Sequence, residues 1–234
     1  MEAAITREKL LDAALSHVAF DGWSEATLKA AAADSGVDPG LAQALFPRGG
    51  VDLALAWHQA GDREMVRRLG EEDLSALRFR DRVARAVMLR LELADREAVR
   101  RGTTLFALPQ HAADGAGAIW SSADAIWTAL GDTSDDVNWY TKRATLSAVY
   151  GATVLFWLGD DSPDLQATRD FLDRRIEGVM WFEKTKAALA KNPLGKALMS
   201  GPLGFLARIR PPHRPAGLPG HESGASETKA PRPF

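Results

Sequence analysis

The chain has 234 residues, 46% hydrophobic and 26% charged, the balance of a globular protein with length enough for a buried core. It contains no cysteine, which excludes disulfides, thiolate metal sites and thiol nucleophiles and fits a reducing cytoplasm. A net charge of −2 gives no general attraction to nucleic acid. No run reaches the roughly 18 apolar residues of a membrane span, and residues 1–8 do not read as a secretory or transit signal.

Strand signals are nearly absent, and apolar residues recur at helical spacing along most of the chain. Leu10, Leu11, Ala14, Leu15 and Val18 mark one face of a first helix that ends near Asp21 and Gly22. Ser24 caps a second helix through Ala33, and Gly36 lies just past it, as helix C-termini prefer. Asp38 and Pro39 read as the cap and first turn of a short third helix through Leu45. Pro47, Arg48, Gly49 and Gly50 form a turn, and a long helix follows to about Leu69. Further helices are expected at about 75–98, 102–110, 114–130, 137–158 and 163–190. Gly159 suits the end of one and Pro163 the first turn of the next. Beyond Pro211 the chain is rich in Pro, Gly and Ser and reads as disordered. The expected architecture is all-α: a head (1–50), a helical-bundle body (51–190), an amphipathic segment (191–210) and a tail (211–234).

Three short helices with a glycine turn before the third, then a long helix into a bundle, resemble the TetR regulators. In such a regulator the third helix enters the major groove while nearby bases grip phosphates. Here Asp38, Pro39, Gly40, Leu41, Ala42, Gln43, Ala44 and Leu45 include no Lys or Arg. Residues 1–60 hold four bases, Arg7, Lys9, Lys29 and Arg48, against eight acids. Phosphate contacts supply most non-specific DNA affinity, so the helix-turn-helix reads as degenerate, a retained packing unit with no nucleic-acid partner. Gln43 alone has the chemistry to read a base edge. A ligand-responsive TetR-type DNA-binding regulator remains the alternative reading of the whole chain.

Catalytic patterns are missing. None of the five histidines, His17, His58, His111, His213 and His221, follows a Glu by three positions or belongs to a His-Glu-x-x-His zinc motif. Gly115, Ala116 and Gly117 do not continue into a dinucleotide fingerprint. No phosphate-cradling Gly-rich loop and no Gly-x-Ser-x-Gly elbow occurs. The expectation is a protein without catalytic residues, metal or cofactor.

Residues 138–143 read Asn138, Trp139, Tyr140, Thr141, Lys142 and Arg143 and open a helix just after the acidic Asp135 and Asp136, which favour the positive end of its dipole. Trp139 and Arg143 are four apart, so the guanidinium can lie over the indole. Their face continues through Leu146, Tyr150, Thr153 and Trp157. A helix apolar on two sides is either deeply buried or shared between core and partner, and Trp, Tyr and Arg are the residue types enriched at interface hot spots.

That run is similar to the TetR-fold accessory family of ubiquinone (coenzyme Q) biosynthesis, the member numbered nine in that pathway. Residues 22–26, 45–50, 123–127 and 171–176 add to the resemblance, which covers roughly 5–190. It implies a homodimer with an apolar cavity for a lipid, working beside the di-iron demethoxyubiquinone hydroxylase. It also implies that Trp139, Tyr140 and Arg143 stand where the family carries its partner-binding surface. The Pro-rich tail and the proline-interrupted C-terminal helix depart from the family pattern.

Trp120 and Trp127 are seven apart on one helix face, with Leu105 and Phe106 before them. With Tyr150 and Trp157 they are the expected lining of a cavity for a polyisoprenoid quinone intermediate or a phospholipid; ordinary core packing is the alternative for any one of them. Residues 184–214 contain seven bases and no acid. Lys191, Lys196, Arg208 and Arg210 alternate there with Leu198, Met199, Leu203, Phe205 and Leu206, the pattern of a segment drawn to an anionic membrane surface. The chain is therefore expected in the cytoplasm, peripherally associated with the inner membrane.

Overall fold

The computed structural model describes the backbone of residues 2–135 and 137–191, and side chains within 3–135 and 137–179. Among these residues there are nine α-helices and no strand. They are α1 (Glu2–Asp21), α2 (Glu25–Ser35), α3 (Pro39–Leu45), α4 (Gly50–Leu69), α5 (Phe79–Glu92), α6 (Arg96–Phe106), α7 (Ala112–Ala129), α8 (Val137–Trp157) and α9 (Gln166–Lys191). Single 3₁₀ turns, Pro109–His111 and Pro163–Leu165, lead into α7 and α9.

The first three helices are bounded by the residues whose chemistry demands it. The Ser24 hydroxyl accepts from the Thr27 amide, and Asp38 Oδ1 accepts from the Leu41 amide at 2.9 Å. Each satisfies one of the amides that a helix start leaves open. Gly36 takes φ +64° and closes α2, its amide and that of Val37 returning to Ala33 and Ala32. Gly50 is needed for space: a Cβ there would stand 2.3 Å from the Trp23 carbonyl oxygen.

One expected helix divides. The apolar pattern over 75–98 runs on through Leu93 and Ala94, but Asp95 stops it by capping a new helix, its carboxylate accepting from the Ala98 amide at 2.7 Å. The chain therefore turns between α5 and α6, and the helix expected at 102–110 begins at Arg96 and ends at Phe106. A side-chain cap inside an apolar stretch outweighs the periodicity there.

Two apolar clusters form. The head cluster gathers Leu10, Ala14, Val18, Leu28, Ala31, Ala42 and Phe46 and draws in Leu53, Ala54 and Ala56 of α4. The body cluster joins Met65, Val87, Leu91, Ala123, Ile126, Leu146, Tyr150, Trp157 and Leu172. Trp23 ties α6 to the head cluster, its indole N–H donating to the Ala98 carbonyl at 2.9 Å. Arg48 adds a second tie, bridging Asp52 of α4 and Asp114 of α7.

Among the described residues no helix is long and apolar enough to cross a membrane. The membrane-segment expectations at Lys196, Leu198, Met199, Leu203, Phe205, Leu206, Arg208 and Arg210, the Lys191 side chain and Asp136 lie outside the described residues.

Candidate lipid cavity and aromatic face

Between the head and the body lies a cavity of about 770 Å³, walled by α4, α5, α6, α7 and α8. Its aromatic walls are Trp23, Trp57, Phe106 and Trp120, and the first two meet at 5.5 Å between ring centroids. Along α8 the wall is made of Ala144, Ala148, Gly151 and Leu155, a stripe at helical spacing whose small side chains keep the space open. Ala144, Ala148 and the 61%-exposed Leu155 bring this wall to the surface, so the cavity opens beside α8.

One wall is polar. His58, Arg90, Ser147 and Tyr150 face the cavity, and Asp62 and Ser122 support them. Arg90 is 2% exposed; its Nε donates to Asp62 Oδ1 at 2.8 Å and a terminal nitrogen donates to the His58 carbonyl at 3.1 Å. The Ser122 hydroxyl donates to the same Asp62 oxygen at 2.8 Å. His58 Nε2 lies 2.8 Å from Ser122 Oγ and 3.1 Å from the Ala118 carbonyl. A carbonyl only accepts, so Nε2 carries the proton and Nδ1 faces Arg90 as acceptor. Burial lowers the His58 pKa and raises that of Tyr150, so both are neutral near pH 7. The buried Asp62–Arg90 pair carries the charge, and it cancels.

At the other end of α8 the residues 138–143 build an aromatic face. Trp139 and Tyr140, both half-buried, meet edge to face at 4.8 Å. Trp120 approaches them at 6.0 and 6.5 Å, so one side chain belongs to both the cavity wall and this face. Arg143 is 2% exposed and lies beneath the face, its guanidinium 4.0 Å from the Trp139 ring centroid. It donates to Asp124 at 2.5 Å, to Asp132 at 3.0 Å and to the Trp139 carbonyl at 3.2 Å. Burial opposes ionisation of Asp132, but hydrogen bonds from Lys142, Ser134 and Arg143 more than offset it and hold its pKa at about 2.

Of the six residues expected to line a lipid cavity, the structure brings Phe106, Trp120 and Tyr150 together and leaves three elsewhere. Leu105 packs against the head cluster. Trp127 stacks on Phe79 at 5.5 Å and donates to the Lys142 carbonyl, outside the cavity lining. Trp157 is buried in the body core with Arg96 over its ring. Sharing a helix face with Trp120 put Trp127 at the right angle but about 10 Å too far along the axis. Arg143 supports the aromatic face from below while Trp139 and Tyr140 form its surface. Sequence reading missed Trp23, Trp57 and, of the polar wall, everything but Tyr150. His58 and Asp62 are four apart and so share a face, but nothing local marks Arg90 or Ser122 as their partners.

In the head, Gln43 donates its side-chain amide to the Pro47 carbonyl at 3.2 Å, and Arg7 lies over the Phe46 ring. Together with Arg48, engaged by Asp52 and Asp114, these potential DNA-contacting groups are occupied within the chain. Among the described residues no group of three or more His, Asp or Glu is placed to hold a metal ion.

The helix order and the short third helix define a TetR-like all-α protein. A TetR transcriptional regulator from Nitrosomonas europaea superposes with a TM-score of 0.60 at 22% identity, over 75% of this chain and 98% of its own, a likeness of fold. Within that class the chain is related to the COQ9 family, whose model matches residues 112–183, from the start of α7 into α9. The ubiquinone biosynthesis protein COQ9, mitochondrial, of Rattus norvegicus is 29% identical over 213 residues, 87% of this chain and 67% of that protein. The Homo sapiens protein matches equally at 29%, with 66% of its length covered. The Drosophila melanogaster protein is 32% identical over 180 residues, 73% of this chain and 54% of its own. The chain thus spans about two thirds or less of these relatives. Their names give a pathway and no reaction.

Proposed function

We propose that this chain is an accessory protein of ubiquinone biosynthesis that binds an isoprenoid quinone intermediate in the cavity between head and body. The observation that carries the reading is the cavity itself: about 770 Å³, lined mostly by aromatic and aliphatic side chains and opening beside α8. Apolar pockets of this size with few polar groups suit a hydrophobic ligand, and the curated relatives are named for the pathway that makes one. Trp139 and Tyr140 form the docking face for the demethoxyubiquinone hydroxylase, held in place by Arg143, and Trp120 links that face to the cavity. The protein works as a homodimer in the cytoplasm at the inner membrane surface, to which the basic segment 191–210 binds. It carries out no turnover of its own and does not bind DNA.

The experiment is the quinone profile of cells lacking the gene, by mass spectrometry of lipid extracts. Accumulated demethoxyubiquinone with depleted ubiquinone is expected, and complementation with a Trp139→Ala, Tyr140→Ala variant restores less ubiquinone than the wild-type gene. An unchanged profile refutes the pathway assignment.

A further inference from the structure

A second groove lies apart from the cavity, between α5, α8 and α9, with a volume of about 260 Å³. We propose that residues 194–206 of this same chain fold back along α9 and seat Leu203, Phe205 and Leu206 in that groove, and that an anionic membrane competes with the groove for these side chains. The docking stands on the groove and the sequence; the competition rests on the reading of 191–210 as the membrane segment.

The first observation is an apolar surface without a complete cover. Val83, Leu146 and Val149 are the buried part of the lining, and Phe79, stacked on Trp127, stands 48% exposed at its edge. Helix α9 contributes Ile176 and Val179. Beyond Met180 the positions that continue this spacing are Glu183, Ala187 and Ala190, a charge and two methyl groups. At that spacing α9 supplies no further large apolar side chain.

The second is charge. Arg80 at the groove is paired with Asp81 and Glu177, and Lys142 with Asp132. The rim therefore neither calls for an anionic partner nor repels a basic segment. Residues 194–206 hold Leu194, Leu198, Met199, Leu203, Phe205 and Leu206 against a single base, Lys196, and no acid. A lysine on such a segment covers apolar surface with its stem and keeps its ammonium in water.

The third is reach. The α9 backbone runs from Val179 on to Lys191, about 18 Å along the axis. Asn192 and Pro193 suit a reversal. Leu194 to Leu206 then spans about 18 Å as helix and more where Gly201 and Pro202 extend it, which returns Leu203, Phe205 and Leu206 to the level of Val179. Contiguous apolar side chains left in water are an association liability, and the groove is a cover that the chain itself provides.

The test uses the full chain, which has no cysteine, so introduced cysteines report without background. Thr141→Cys, at an exposed position lining the groove, is paired with Gly204→Cys and treated with a short bis-maleimide in dilute, lipid-free solution. An intramolecular crosslink is expected, about tenfold above that of a Leu41→Cys, Gly204→Cys pair, Leu41 being exposed on the head. Adding Leu203→Ser, Phe205→Ser and Leu206→Ser to the groove pair lowers the crosslink to the level of the head pair, and so do vesicles of phosphatidylcholine with phosphatidylglycerol. A groove pair that crosslinks no better than the head pair overturns the docking. A crosslink formed only between two chains overturns it as well and gives the groove to a second copy. A crosslink unchanged by vesicles that do bind the protein overturns the competition. Vesicles that bind no protein refute the membrane-segment reading and the competition with it, while the lipid-free crosslink decides the docking.

Discussion

The head and the body are built from the same material, alanine-rich amphipathic helices, yet they use it in opposite ways. In the head, Ala14, Ala31, Ala32 and Ala42 are buried and let helices approach closely, with Phe46 fully buried among them. In the body, Ala107, Ala116, Ala144 and Ala148 stand exposed around the cavity mouth, where their smallness leaves space rather than closing it. A small side chain permits either outcome, and the neighbouring helix decides which. The same contrast appears in the polar groups. Arg48, Arg7 and Gln43 of the head are occupied by contacts within the chain, whereas the buried Ser147 Oγ beside the body's cavity lacks a hydrogen-bond partner among the described residues.

The strongest way to break this comparison is in the head. Phe46→Ala removes a ring with no solvent exposure and is expected to cost about 4 kcal/mol, read by urea denaturation followed by circular dichroism. A loss below about 1 kcal/mol would mean that the head is not tightly filled.

Next comes Arg143→Met, which leaves the buried Asp132 without its guanidinium partner. A loss of about 3 kcal/mol is expected, together with a red shift of tryptophan emission as Trp139 loses the cation over its ring. A stability and spectrum like those of wild type would show that the aromatic face holds itself.

A matched pair sharpens the contrast directly. Ala31→Leu overpacks the head and costs about 2 kcal/mol. Ala148→Leu at the cavity mouth stays within about 0.5 kcal/mol of wild type, but lowers affinity for an isoprenoid quinone roughly tenfold. Equal destabilisation by the two would erase the distinction between closing and lining alanines.

The smallest effect is in pH. Asp132 titrates at about 2 in the folded protein against an ordinary value of 3.8. Its folded pKa is depressed, so its stabilisation is complete above about pH 4 and fades as pH falls toward about 2. Acid titration of tryptophan emission should show the aromatic face loosening across that window, and Asp132→Asn should abolish that part of the transition.

The sequence by itself determined the helices of the head, because each is bounded by a residue with a local reason to stop it: Ser24, Gly36, Asp38, Pro39. It also gave the Trp139–Arg143 contact, since four-residue spacing on one helix fixes that geometry without outside help. The all-α class followed from periodicity alone. The Asp95 cap was equally local but was hidden inside an apolar run, and the break between α5 and α6 went with it.

The cavity needed the tertiary structure. Trp120 and Trp127 look equivalent along α7, and only the packing of α5 against α7 sends one to the cavity side and the other onto Phe79. The polar wall joins α4, α5, α7 and α8 across sequence separations of 28 and 60 residues. Helical spacing specifies which side chains share a face, while a buried network depends on which faces meet, and that is settled only when the whole bundle closes.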